Sequence, residues 1–469
     1  MALSEAREGG SVQPLFRWWR VLLYSGAFFT IFRLAQVGLR SVCANWIPFD
    51  CPFYWPISIF EQRLPTALET AWAIALLALF AGAVWLLERK QYDIRLVCTV
   101  GILLIAGSTL IQGVSNGFYA PIAGDAQTGV LIPNSPDGQE YYHDALKITD
   151  PVDFLRRYNE IQPTLNRHAH THPPGAVLTF YVLKKLLRDP ALIAIFIMIA
   201  ATISTSFFFY RLLRTEFAPE MSGYVTFLFV LLPAVQIYFL ATIDALIVAL
   251  VTGALYFFCF GRGTRSTIAA AAMVTASFLL TFVTFFILPV LVCFELIVRR
   301  SLKRSAILIG GVVGFHVVLY LLLGYDGWQS FRAASLYENP NGPMPLVEPV
   351  NYLFTRLEDV SEIIFFFGPF LAILFVRGMR RLGGLREIKT RPLIVLTILG
   401  CASVLGMYLV GAWRTGETAR ACAFIYPYLL FPVAGYLFRR NDNRAARIQL
   451  ATLVFAQSVA MQAIGNYFW

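Results

Sequence analysis

Long apolar runs joined by short basic connections make up most of this chain, and one extended polar stretch interrupts them. A helix that crosses a bilayer needs roughly 20 consecutive apolar residues. On that criterion the sequence predicts segments at about 17–38, 67–87, 94–113, 190–212, 221–240, 243–260, 266–283, 285–298, 305–323, 358–376, 392–411, 422–437 and 447–465. The expectation is an all-α polytopic membrane protein with about thirteen transmembrane helices in a single transmembrane domain over 1–469. The short segments 285–298 and 422–437 read as halves of broken or re-entrant helices. Neither an internal repeat nor a low-complexity linker is visible.

The polar interruption covers 115–189. It carries short amphipathic stretches at 139–147 and 151–158. Asp150-Pro151 has the form of an N-cap followed by proline at the first helical position. Pro173-Pro174 can open another helix that runs to Arg188, with Lys184, Lys185 and Arg188 on one face. That helix is too short to span and suits the membrane interface. The loop is therefore expected to fold as juxtamembrane helices.

Composition agrees: 58% of residues are hydrophobic and 14% charged, against about 25% charged in soluble domains. The net charge of +10 reads as the basic excess of cytoplasmic loops, and no nucleic-acid partner is expected. With a cytoplasmic N-terminus, the inner loops hold 24 of the 38 Lys and Arg. The loops 115–189, 324–355 and 412–421 then share the outer face. Arg17 and Arg20 open a first apolar run without a small-residue cleavage site, which predicts a retained helix. Cys43 and Cys51 share the loop after it and could pair if that loop meets an oxidising compartment.

Chemistry concentrates in the polar interruption, which holds four of the five histidines. Asp137, Glu140, His143 and Asp144 can share a helix face at spacings of three and four. A carboxylate here could take a proton from an attacking hydroxyl; the alternative is a set of solvated loop charges. His168, His170 and His172 alternate, so an extended strand would point them to one side. They could ligate a divalent metal or hydrogen-bond a phosphate or sugar. Farther along, Trp413 to Arg420 places Arg414 and Arg420 at a membrane edge, where arginine suits a phosphate. Glu417 either orients Arg420 or pairs with it. Asp244 lies near the outer end of a helix, at the interface or facing a cavity. Glu295 and His316 read as packed residues with hydrogen-bonded partners.

As an ordered set these residues resemble the GT-C superfamily of polytopic glycosyltransferases, in particular the protein O-mannosyltransferases and lipid A aminoarabinose transferases. Asp137 through Tyr142 is similar to the acidic, tyrosine-containing start of that family's outer loop. His172-Pro173-Pro174 is similar to its end, and Pro233 followed by Asp244 to the region after it. The likeness covers roughly 115–300. It implies transfer of a sugar from a polyprenyl-phosphate donor to a cell-envelope glycan, lipid or protein acceptor, with inversion at the anomeric carbon, on the outer face of a plasma (inner) membrane. Asp137 would be the base, with Glu140 and Asp144 as rivals and His172 beside them. Tyr141, His143, His168, His170, Asp244 and Glu417 would line the substrate site, and Arg414 or Arg420 would meet the phosphate. A divalent metal is left open. Here the loop follows the third predicted segment rather than the first, and Gly175 stands where the family has a larger apolar residue. Two other classes fit the same residues: a flippase or transporter of a lipid-linked intermediate, and a metal-dependent membrane hydrolase built on the histidines.

Overall fold

The computed structural model describes residues 14–46, 56–58, 60–124, 140–381, 390–412, 416–440 and 444–467. Asp137, Arg414, Cys51 and the Cys43 side chain fall outside them. The described residues are helical apart from loops and one antiparallel bridge, Glu61–Gln62 with Gly465–Asn466. Among the described residues, eight helices are long and apolar enough to cross a membrane, or nine if one bent pair is a single span.

The bent pair falls in the predicted segment 358–376, where one straight helix was expected. Pro349–Phe367 and Pro369–Arg380 meet at 100°. Gly368 sits between them at φ +87°, and Pro369 begins the second helix. Such a φ is open to glycine at little cost, and proline cannot donate to the preceding turn. Gln457 donates to the carbonyl of Phe365 at 2.8 Å, satisfying an acceptor near the break.

Segment 221–240 is broken too, into Pro219–Leu231 and Pro233–Tyr238. It is buried on nearly every side, as expected for a helix apolar all round. Pro233 removes a backbone donor, and Gln236 compensates by donating to the Val230 carbonyl at 2.7 Å. Its amide oxygen accepts from Ser108 at 2.8 Å. The Ile94–Thr109, Pro190–Leu213, Tyr426–Arg439 and Arg444–Ile464 helices pack against it.

Most short elements of 140–189 follow local rules. Asp150 caps Pro151–Arg156 by accepting from Val152 N at 2.8 Å. The helix expected to open at Pro173-Pro174 runs over Pro174–Leu187. Gly175 lies against the Gly263–Leu280 helix: a Cβ there would stand 2.3 Å from the Leu279 carbonyl oxygen. The close approach of two backbones explains glycine at that position. Asn159 and Asp326 exchange backbone and side-chain bonds at 2.8 Å, joining this layer to the Gly327–Glu338 helix.

Candidate functional site

A cavity of about 370 Å³ opens where 140–189 meets the ends of the long helices. Tyr141, His168, His172, Asp244, Glu417 and Arg420 all line it. Sequence separation had hidden how these groups meet. Three chain regions supply them.

The histidines do not lie on a strand. Arg167–His170 is a helical turn, and this corrects the expectation that all three side chains share one side. His168 and His172 face the cavity, whereas His170 turns away and packs on Tyr337, with ring centroids 4.2 Å apart. The turn is pinned from behind. Tyr158 donates to the His172 carbonyl at 2.6 Å, and Gln162 to that of His170 at 2.8 Å. His172 Nδ1 lies 2.8 Å from the His168 carbonyl. A carbonyl only accepts, so Nδ1 carries the proton and Nε2 keeps its lone pair. Burial, with the Arg420 charge adding to it, pushes His172 down to about 4. His168 is held well below its ordinary value, first by burial and then by Arg420. Both rings are neutral at pH 7.

Tyr141 opens the Tyr141–Lys147 helix and stands edge-on to His172, centroids 5.3 Å apart, while stacking on Phe180. Burial, followed by the Asp244 charge, raises its phenol well above the usual range. Glu140, just before it, is buried, and its charge acts on both Tyr141 and Arg420. Two proposed neighbours take other places. Asp144 is buried away from the cavity lining; it accepts from Lys147 and from the Asn166 N–H, at 2.8 and 2.9 Å. His143 is fully buried beside Tyr142. Their positions suit holding the loop together, and neither lines the cavity.

Arg420 is flanked by two carboxylates. Its Nε lies 3.5 Å from Asp244 Oδ2, and Nη2 forms an ion pair with Glu417. Burial works against its charge, but Glu417 and Asp244 more than offset that and raise its pKa. Ionised together, the three carry one net negative charge. Arg167, exposed at the rim, brings a second cation to the lining. Sequence reasoning missed it because it reads as one more loop charge.

Also missed was the frame behind Arg420. Arg356, Glu358, Asp359 and Glu362 are buried at spacings that put them on adjoining faces of Pro349–Phe367. Arg356 donates to the Ala412 carbonyl at 2.8 Å. Glu358 accepts from Gly416 N at 2.9 Å. Glu362 accepts from the Ser58 N–H at 2.7 Å, and from Thr418 Oγ and Ala419 N at 3.3 Å. Four ionisable residues in or beside an apolar run were the available signal, since such groups are costly without partners. Glu417 takes a left-handed φ of +69° and donates its N–H to Ser58 at 2.7 Å.

The other wall is greasy: Phe282, Val283, Phe286, Phe331, Met407 and Val410. Phe282 also lines an adjoining groove of about 400 Å³, formed mainly by apolar residues from Phe278 to Trp328. The cavity thus has a polar pole and an apolar wall, and the groove lies beside that wall at Phe282. Among the described residues, no group of three or more His, Cys, Asp or Glu is placed to hold a metal ion.

No protein-family model and no curated protein sequence matches the chain. Among solved structures, the chain is similar to the apo form of the Archaeoglobus fulgidus oligosaccharyltransferase, at 12% identity and a TM-score of 0.46. The alignment covers 80% of this chain and 57% of that one.

Proposed function

We propose that the protein is a membrane glycosyltransferase of the GT-C type, with about thirteen transmembrane segments, that moves a sugar from a polyprenyl-phosphate donor to an acceptor hydroxyl on the outer face of a plasma membrane. The observation that carries this reading is the pair of neighbouring cavities that share Phe282. One has a polar pole with Arg420, Asp244 and Glu417; the other is an apolar groove on the far side of Phe282. A ligand that is a charged, hydroxyl-rich head on a long hydrocarbon chain matches both halves.

In this reading the isoprenoid lies in the apolar groove and the sugar phosphate in the cavity. Arg420 and Arg167 face the phosphate; Arg414 is a further candidate from sequence. Two cations there also offset the carboxylate excess around Arg420. Tyr141, His168, His172 and Asp244 surround the sugar. Asp137, four positions before Tyr141, is the base. It takes the acceptor's proton as the oxygen attacks the anomeric carbon. The bond from that carbon to the phosphate oxygen breaks, and polyprenyl phosphate leaves with inversion. The leaving phosphate gains negative charge, so the arginines stabilise the transition state more than the ground state.

The test is transfer by the purified protein, using a labelled polyprenyl-phosphate sugar and candidate acceptors. Asp137→Asn is expected to abolish transfer while leaving donor binding intact. Wild-type turnover in that variant removes Asp137 from the mechanism. Lipid-linked donor crossing vesicles, with no sugar transferred to any acceptor, would point instead to a flippase.

A further inference from the structure

We propose that a second, basic cavity at the opposite end of the bundle holds the phosphate headgroup of an anionic membrane phospholipid. It is lined by Arg262, Arg299, Lys303 and Arg304 beside Thr264 and Thr267, with no acidic residue in its wall, and has a volume of about 520 Å³. The helix Ile243–Leu255 and its π-helical extension Tyr256–Phe260 lead from Asp244 to this place. At 1.5 Å per residue the two cavities lie about 25 Å apart. The proposal does not depend on the transferase reading, only on the helices spanning a bilayer.

Two of the cations are fixed. Arg304 donates to the carbonyls of Gly261 and Phe257 at 2.9 and 2.8 Å, and to Thr267 at 2.7 Å. Arg299 donates to the Cys259 carbonyl at 2.7 Å. These acceptors are neutral, so the bonds orient the guanidiniums without cancelling their charge. The buried Glu295 accepts from Arg304 N at 3.1 Å and Ser305 N at 2.7 Å, and its charge offsets part of that of Arg299 and Arg304, so the four cations keep a net excess of positive charge. Among the described residues no carboxylate forms an ion pair with Arg262, Arg299, Lys303 or Arg304. Elsewhere at this end, Arg447 lies 3.0 Å from both Glu88 and Glu220, so that cation is already balanced.

The surroundings select a lipid over a free anion. Ile307, in the cavity wall, is 42% exposed, and its neighbours Leu302 and Leu296 are 49% and 52% exposed. In the whole Lys303–Leu323 helix only Ser305, Leu308 and Val312 are buried. A bilayer would cover that apolar surface with acyl chains. A headgroup in the basic cavity places its own chains along this helix. Interfacial basic clusters of this kind attract anionic lipid.

The experiment uses the full chain, stripped of lipid in detergent, with thermal stability followed against added phosphatidylglycerol, phosphatidylcholine of the same chains, or inorganic phosphate. Phosphatidylglycerol is expected to give a saturable upward shift that the other two do not. Each basic residue at such a surface is worth about fivefold in binding, so Arg262→Gln with Lys303→Gln should weaken it about 25-fold. Lys303→Gln alone, expected to cost about fivefold, decides the matter if the double variant does not fold. Arg89→Gln with Lys90→Gln, which removes as much charge elsewhere, should change nothing. Equal shifts from the two lipids, or equal loss in that control, overturn the proposal. An equal shift from inorganic phosphate overturns the lipid in favour of a free anion.

Discussion

The Arg420 guanidinium stands 3.5 Å from the Asp244 carboxylate, tying the start of one membrane helix to a loop late in the chain. Glu417 holds the same guanidinium from its own turn. The guanidinium between them offsets the repulsion of the two carboxylates.

Removing that cation should therefore cost more than removing either acid. Arg420→Gln leaves two nearby carboxylates with lost compensation, a loss of about 3–5 kcal/mol. Asp244→Asn leaves the Arg420–Glu417 pair and should cost much less. The double variant should be more stable than Arg420→Gln alone. Thermal unfolding of the three proteins in one detergent checks the order. Additive losses would show that the residues do not act as a unit.

Glu362 predicts a different signature. Glu362→Gln puts an amide donor where the carboxylate accepts bonds from both Ser58 and Thr418–Ala419. Each unsatisfied buried group costs about 1–3 kcal/mol. The sharper expectation is local: amide hydrogen exchange at 416–421 should speed up while exchange in the 219–231 helix stays slow. Unchanged exchange in the loop would mean that Glu362 does not hold it.

His172 gives a pH prediction. The unfolded chain protonates it at about 6.5, whereas the folded protein keeps it neutral down to about 4. Its contribution to stability is complete above pH 6.5 and falls as the pH drops toward 4, by on the order of 2–3 kcal/mol. The midpoint of unfolding should decline through that window, and less so in His172→Gln. Labelled-histidine NMR should show no titration of His172 between pH 8 and 5; an inflection near 6.5 would contradict its neutral state in the half-buried site.

Gly175→Ala tests the packing of the Pro174–Leu187 helix. The added methyl would meet the Leu279 carbonyl oxygen at 2.3 Å, backbone that cannot swing aside. Overpacking of this kind costs about 1–3 kcal/mol. Gly310→Ala, with nothing within 4 Å of the added atom, should be neutral or mildly stabilising. Equal thermal midpoints for the two variants would place the two helices farther apart than described.

What the sequence determined by itself was local. Apolar runs gave the helices, because a lipid environment forces backbone groups to bond within the segment. Asp150 and Pro151 gave one helix start, and the two prolines before Gly175 gave another. The chemical types gathered at the site were also legible, down to Tyr141, His168, His172, Asp244, Glu417 and Arg420. Only the tertiary structure decided that these six share one cavity, that His170 leaves it for Tyr337, and that Asp144 supports the loop from behind. It also decided the 100° bend at Gly368 and the clamp from Glu358 and Glu362. The reason is physical: periodicity and capping are written in neighbouring residues, whereas convergence depends on how separate helices pack, and no single segment carries that.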